Sequence, residues 1–207
     1  MLGQVTAENR YAFDQACRVK AIELAARLGL HERDESCRLN INFLPNAVYE
    51  PAACIRRTLS AAARNAFPLD RITFEIVEQE EMGLASINHL NGIVDEYRRH
   101  GFKIALDDFS SGYSGLSRMA ELKPDIVKLD RVLIQDCDTH PMRMAIIAGM
   151  IGICRETGIK LVMEGVETEA ELKALLAAGA RYMQGFYFAR PSFEAIQSAD
   201  AIKWPIV

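Results

Sequence analysis

The chain has 207 residues, half of them hydrophobic, and its 24 Lys and Arg against 28 Asp and Glu leave a formal charge of −4. That length supports one substantial core, and the net negative charge provides no global field to draw the chain to a DNA or RNA polymer or to anionic lipid. The longest apolar run (144–154, between Arg143 and Arg155) is too short to insert in a membrane, and five scattered cysteines with no C-x-x-C pair support neither a disulfide framework nor a thiolate zinc site, so the expected setting is the cytoplasm.

Residues 11–30 read as an amphipathic helix, with apolar positions at Phe13, Ala16, Cys17, Ala21, Leu24 and Leu28 and a stop at Gly29. A strand over 38–45, a helix near 51–66, a strand over 71–77 and a helix near 83–99 follow. Next come a strand over 102–107, a short helix near 115–122 and a strand over 125–130. The remaining pattern is a helix near 141–157, a strand over 159–164, a helix near 168–178 and a strand near 181–187. Strands followed by helices at this rhythm imply right-handed crossovers and a mainly parallel sheet. The expectation is an α/β fold with 1–207 as a single domain.

The polar residues fall at one end of that pattern. Asn42, Glu75, Asp107, Lys128, Glu164 and Gln184 each lie in or at the C-terminal end of a different expected strand, and in a parallel barrel those ends converge on the mouth where catalytic groups are built. Asn42, Glu75, Asp107, Asp108 and Glu164 supply the oxygen donors that hard divalent cations take. Lys128 reads either as a counter-ion to these acids or as a group that orients a water near a phosphate. A Schiff-base role for it requires a desolvated amine away from acids.

Simpler readings compete. The Asp107–Asp108 pair reads equally as a helix N-cap followed by a solvated acid. Thr168 with Glu171 three residues on makes a capping box, which leaves Glu164 and Glu167 unexplained. The four histidines have no metal-ligand spacing, and neither G-x-x-x-x-G-K-[ST] nor G-x-S-x-G is present.

The segments FEIVE (74–78), DDFSSGYSGL (107–116), PDIVKLD (124–130), EGVET (164–168) and QGFYFARP (184–191), in this order and at these distances, resemble the EAL domain family of cyclic di-GMP phosphodiesterases. The resemblance runs from about residue 10 to about residue 195. It implies a modified TIM-type (β/α) barrel that hydrolyses cyclic di-GMP to linear pGpG at a two-metal Mg²⁺ or Mn²⁺ site, in a protein that is often a homodimer. By motif position it assigns Asn42, Glu75, Asp107 and Glu164 as metal ligands and places Asp108 and Asp130 at the second metal. It makes Lys128 the holder of the attacking water, with Gln184 lining the same mouth. Glu78 becomes the anchor of the loop 109–115, and Glu167 a further support.

The chain departs from the family pattern in a few places. The family's early Glu-x-Leu motif lies upstream of the helix near residue 10, and the IEL at 22–24 and AEL at 120–122 stand in the wrong place to replace it. The expected barrel is therefore incomplete at its N-terminus. Ser110 stands where the family's loop has Gly, Leu44 follows Asn42-Phe43 where many members have Ser, and Met163 precedes Glu164 in place of Ala. The alternative function that the resemblance leaves open is a catalytically inactive EAL module that binds cyclic di-GMP or a protein partner.

Overall fold

The computed structural model describes residues 6, 9–34, 36–43, 45, 48, 50–77, 84–109 and 115–204. Its elements run α1 (Arg10–Arg27), β1 (Leu39–Phe43), α2 (Pro51–Arg64), β2 (Ile72–Val77), α3 (Leu84–Arg99), β3 (Lys103–Phe109) and α4 (Gly115–Leu122). They continue with β4 (Ile126–Leu129), α5 (Arg131–Ile134), α6 (Pro141–Thr157), β5 (Lys160–Met163), α7 (Glu169–Ala177) and β6 (Tyr182–Met183). The six strands form one sheet in chain order, β1 to β6. The pairs β1–β2, β3–β4, β4–β5 and β5–β6 are all parallel. Alternating strands and helices thus give the α/β fold expected from the sequence. No described helix is long and apolar enough to cross a membrane.

The chain divides into two compact units, 1–104 and 105–207. In the first, the strand face of Ile41, Phe43, Ile72, Phe74 and Ile76 is buried. The register sets Asn42 beside Glu75. Pro51, whose fixed φ suits a first turn, starts α2, and its buried residues Cys54, Ile55, Thr58, Ala61 and Ala62 recur at helical spacing.

Helix α1 departs from the expected face. Its buried residues are Asp14, Gln15, Arg18, Ile22 and Ala25, whereas Ala16 and Cys17 are exposed. The period read from the sequence is helical, but the stripe is rotated and turns a charged pair inward. The structure gives the buried guanidinium an ion pair, one hydrogen bond and an aromatic surround. Arg18 is fully buried, 2.6 Å from Asp14 and 2.8 Å from the Tyr97 hydroxyl oxygen. Its Cζ lies 5.0, 5.2 and 5.9 Å from the ring centres of Phe43, Phe74 and Tyr97. A guanidinium near aromatic rings, with a carboxylate and a phenol beside it, offsets much of the cost of leaving water.

In the second unit the core is built from Ala105, Leu106, Phe109, Val127, Leu129 and Met163 on strands with Met119, Ile147, Met150, Leu172 and Leu175 on helices. Thr168 and Glu171 form the expected capping box at the start of α7. Two boundaries differ from expectation. Strand β3 runs through both aspartates to Phe109, so neither caps a helix. Strand β6 is two residues long, because Gly185 takes φ +157° and turns the chain out of the sheet immediately after Gln184.

The buried pair yields the first prediction. Asp14→Ala leaves the Arg18 charge without its carboxylate, and chemical denaturation should register a loss of about 3–5 kcal/mol. A loss under 1 kcal/mol, on the scale of an exposed pair, would contradict the account of α1.

Candidate active site

The site starts from an irregularity in β3. Leu106 pairs with Val127 and Phe109 pairs with Leu129, so Asp107 and Asp108 together oppose the single residue Lys128. This is a β-bulge, which breaks the pleat and re-aims side chains. In a regular strand adjacent residues point to opposite faces. Here a carboxylate oxygen from each of Asp107, Asp108 and Glu164 lies within 4.8 Å of the others. Asp108 carries the bulge in the left-handed region, at φ +52°. Asp tolerates that region better than most residues, although a strain of about 1–2 kcal/mol remains.

The parallel register then brings the other groups to the same level. Lys128 pairs with Val162 on β5, Glu164 follows β5 directly, and the Glu164 N–H donates to Leu129 O at 3.0 Å. Gln184 follows β6, and its N–H donates to Met163 O at 2.9 Å. Lys128 Nζ lies 2.8 Å from Asp107 Oδ1 and 2.7 Å from Glu164 Oε1. Gln184 Nε2 donates to the same Glu164 oxygen. Asp130 follows β4, accepts from the Val132 N–H at 2.6 Å as the cap of α5, and has its carboxyl in hydrogen-bonding range of Asp108.

The electrostatics follow from this crowding. Burial, followed by repulsion from Asp107 and Asp130, raises the Asp108 pKa above the usual carboxylate value. Burial pushes Glu164 up from 4.5 to about 7, Lys128 pulls it down and Asp107 adds to the rise. Three clustered carboxylates against one ammonium leave two negative charges when all are ionised. An oxygen-only donor set with that residual charge fits a hard divalent cation, and the bulge holds the donors close enough to share one.

The structure therefore brings together Asp107, Asp108, Lys128, Glu164 and Gln184, with Asp130 beside Asp108. Asn42 and Glu75 are neighbours on β1 and β2, where Glu75 is buried and Asn42 exposed. Glu167 is on the surface and pairs with Arg131 at 2.9 Å. Glu78, Leu44 and Ser110 lie outside the described residues. Two contributors were missed from sequence. Arg131 donates to Gly165 O and to Glu167, and the carboxylate of Glu171 accepts from the N–H groups of Glu167, Thr168 and Asp136. For Glu171 the capping box was the signal, and it accounted for only part of what this carboxylate holds.

A parallel α/β protein that gathers carboxylates, a lysine and a glutamine at the carboxyl ends of neighbouring strands is a protein with an enzyme-type strand-end site. The chain belongs to the EAL domain family, which matches residues 7–191. It is 32% identical over 169 residues to the cyclic di-GMP phosphodiesterase RocR of Pseudomonas aeruginosa, covering 81% of this chain and 42% of that protein. With the signaling protein YkoW of Bacillus subtilis it shares 27% identity over 184 residues, 88% of this chain and 22% of the other. The chain thus spans less than half the length of these two relatives. Among solved structures, the c-di-GMP-bound form of a standalone versatile EAL protein from Vibrio cholerae is 46% identical, with TM-score 0.85 over 95% of this chain and 80% of that one. The manganese/cy-diGMP complex of Klebsiella pneumoniae BlrP1 is 32% identical, with TM-score 0.84 over 93% of this chain and 47% of that one.

Without metal, Glu164 in the fold keeps a proton that the unfolded chain releases between about pH 4.5 and pH 7. The native state then binds more protons, so stability falls as pH rises through that window. Thermal unfolding in EDTA should give a Tm that declines from pH 5 to about pH 8, with the decline flattened in Glu164→Gln. A variant with the same slope as the parent would remove Glu164 as its source.

Proposed function

We propose that this chain is a metal-dependent phosphodiesterase that hydrolyses cyclic di-GMP to linear pGpG, with residues 1–207 acting as one EAL-type domain. The observation that carries the reading is the oxygen-only cluster of Asp107, Asp108 and Glu164 around Lys128 Nζ, in a chain of this family. Asn42, Glu75, Asp107, Asp108, Asp130 and Glu164 are the residues that would hold Mg²⁺ or Mn²⁺ in a two-metal site. Manganese and calcium each accompany the dinucleotide in BlrP1 complexes. Divalent cations bound there supply Lewis acidity toward water and the phosphoryl oxygens.

The chain's own residues do the positioning. Lys128, held by Asp107 and Glu164, carries a fixed positive charge to the point where water meets phosphorus and offers its N–H groups to that water. Gln184 restrains the Glu164 oxygen that Lys128 also uses, so the two donors fix that carboxylate's orientation. Water adds across one P–O bond of the ring. The phosphate stays on one 5′-oxygen, and the 3′-oxygen leaves with a proton. Glu167, paired with Arg131, supports the loop after β5.

Purified chain with cyclic di-GMP and Mg²⁺ or Mn²⁺ should yield pGpG by chromatography. EDTA should abolish product, and Glu164→Ala or Lys128→Ala should lower kcat by about 100-fold or more. Saturable binding of the dinucleotide without product would turn the assignment to a receptor module.

We further infer a cytoplasmic setting, a reading supported by five free cysteines, which suit a reducing compartment. We also propose a homodimer through the exposed face of α6, a reading supported by Met142, Ile146 and Ile153, which are 70%, 43% and 41% exposed at helical spacing. An apolar stripe on an outer helix is a common contact between copies of a chain. Light scattering should give twice the chain mass, and Ile146→Asp with Ile153→Asp should halve it; a monomeric parent would refute the assignment.

A further inference from the structure

The segment 164–168 carries Glu164 and is gripped from three directions. On one side the Val166 N–H donates to Gln184 O at 3.1 Å, and the Tyr187 N–H donates to Val166 O at 3.0 Å. Gly185 permits this closeness, since a Cβ there would lie 2.2 Å from Val166 O. On the helix side, the buried Glu171 carboxylate accepts from the N–H groups of Glu167 and Thr168 at 2.9 and 3.0 Å. These two grips set the backbone against β6 and α7.

The third grip reaches the other acid-bearing turn. Arg131 directly follows Asp130, whose side chain caps α5. Its guanidinium forks, with Nη1 donating to Gly165 O and Nη2 to Glu167 Oε2 at 2.9 Å. Its stem lies flat on Gly165. A Cβ built on that residue, at φ +72°, would be 2.8 Å from Arg131 Cβ and 3.0 Å from Cγ and Cδ. Gly165 is thus the residue that both turns the chain after Glu164 and leaves room for the arginine.

We infer that Arg131 is a positioning residue that sets Glu164 relative to Asp130 by clamping Gly165 and Glu167 to the start of α5. The inference rests on the metal-site reading of these acids. The simpler account is a half-exposed ion pair between Arg131 and Glu167, which contributes little by itself. That account explains neither the second arm on a backbone carbonyl nor the glycine beneath the stem. A planar fork bridging a carbonyl and a carboxylate fixes direction, which a flexible ammonium on the same stem does not.

The test compares Arg131→Ala and Arg131→Lys with the parent and with Glu164→Ala. In the metal-free chain, hydrogen exchange of the 164–168 amides should accelerate about tenfold in both arginine variants while α1–α3 stay unchanged. Calorimetric Mn²⁺ affinity should fall by about tenfold or more in both, as for loss of a partner that orients a ligand. Turnover should drop in kcat with KM held, and free guanidinium should restore part of it to Arg131→Ala. A lysine variant that matches the parent in exchange and Mn²⁺ affinity overturns the inference, because charge alone then suffices. Parent-like values for both arginine variants overturn it too, with the site reading intact if Glu164→Ala still loses Mn²⁺. Unchanged Mn²⁺ affinity in Glu164→Ala overturns both.

Discussion

The candidate site depends on one extra residue in β3. Two aspartates facing one lysine across a parallel pair put neighbouring carboxylates at a single spot, which a regular pleat forbids. The other groups are placed by ordinary register. Glu164 and Gln184 arrive at the same level because β4, β5 and β6 pair residue for residue and β5 and β6 each end one step before these side chains. The unusual geometry is thus confined to Asp108, the residue with positive φ, and is carried by a sheet that is regular around it. Strain localised on one residue and supported by its surroundings is a common arrangement at functional sites.

Lys128 makes that crowding tolerable in the absence of metal. Its ammonium bridges Asp107 and Glu164, so the strongest repulsion in the cluster is broken by a fixed charge. Burial, with the remaining like-charge repulsion added to it, raises the pKa values of Asp108 and Glu164. A divalent ion beside these carboxylates would oppose both shifts by favouring their ionised forms.

How much of this was legible in the sequence depends on how local each feature is. The capping box of α7 involves a few consecutive residues, and it could be read directly. The strand-end placement of Lys128, Glu164 and Gln184 follows from period and order, and it too was readable. The bulge was not, since it exists only in the pairing of β3 with β4 and no property of Asp107 or Asp108 alone announces it. Helix α1 misled for a related reason. Pattern reading assigns charged residues to solvent, whereas Arg18 is buried by aromatic rings that arrive from β1, β2 and α3. Strand β6 was overestimated because aromatic residues after Gln184 have high strand propensity, and the turn at Gly185 overrides it.

The two buried charge systems differ in what they ask of the fold. Around Arg18 the partners lie in the same unit and the pair with Asp14 is neutral, so no net charge is left for a ligand to balance. Around Lys128 the acids outnumber the cation, and the hydrogen bond from Gln184 holds Glu164 without cancelling its charge. A fold that only had to be stable would have replaced one of those acids, because an amide of the same shape would relieve the repulsion at no cost in packing. Retaining all three, in a bulge that adds strain of its own, is the configuration expected where free energy is reserved for a ligand that completes the charge.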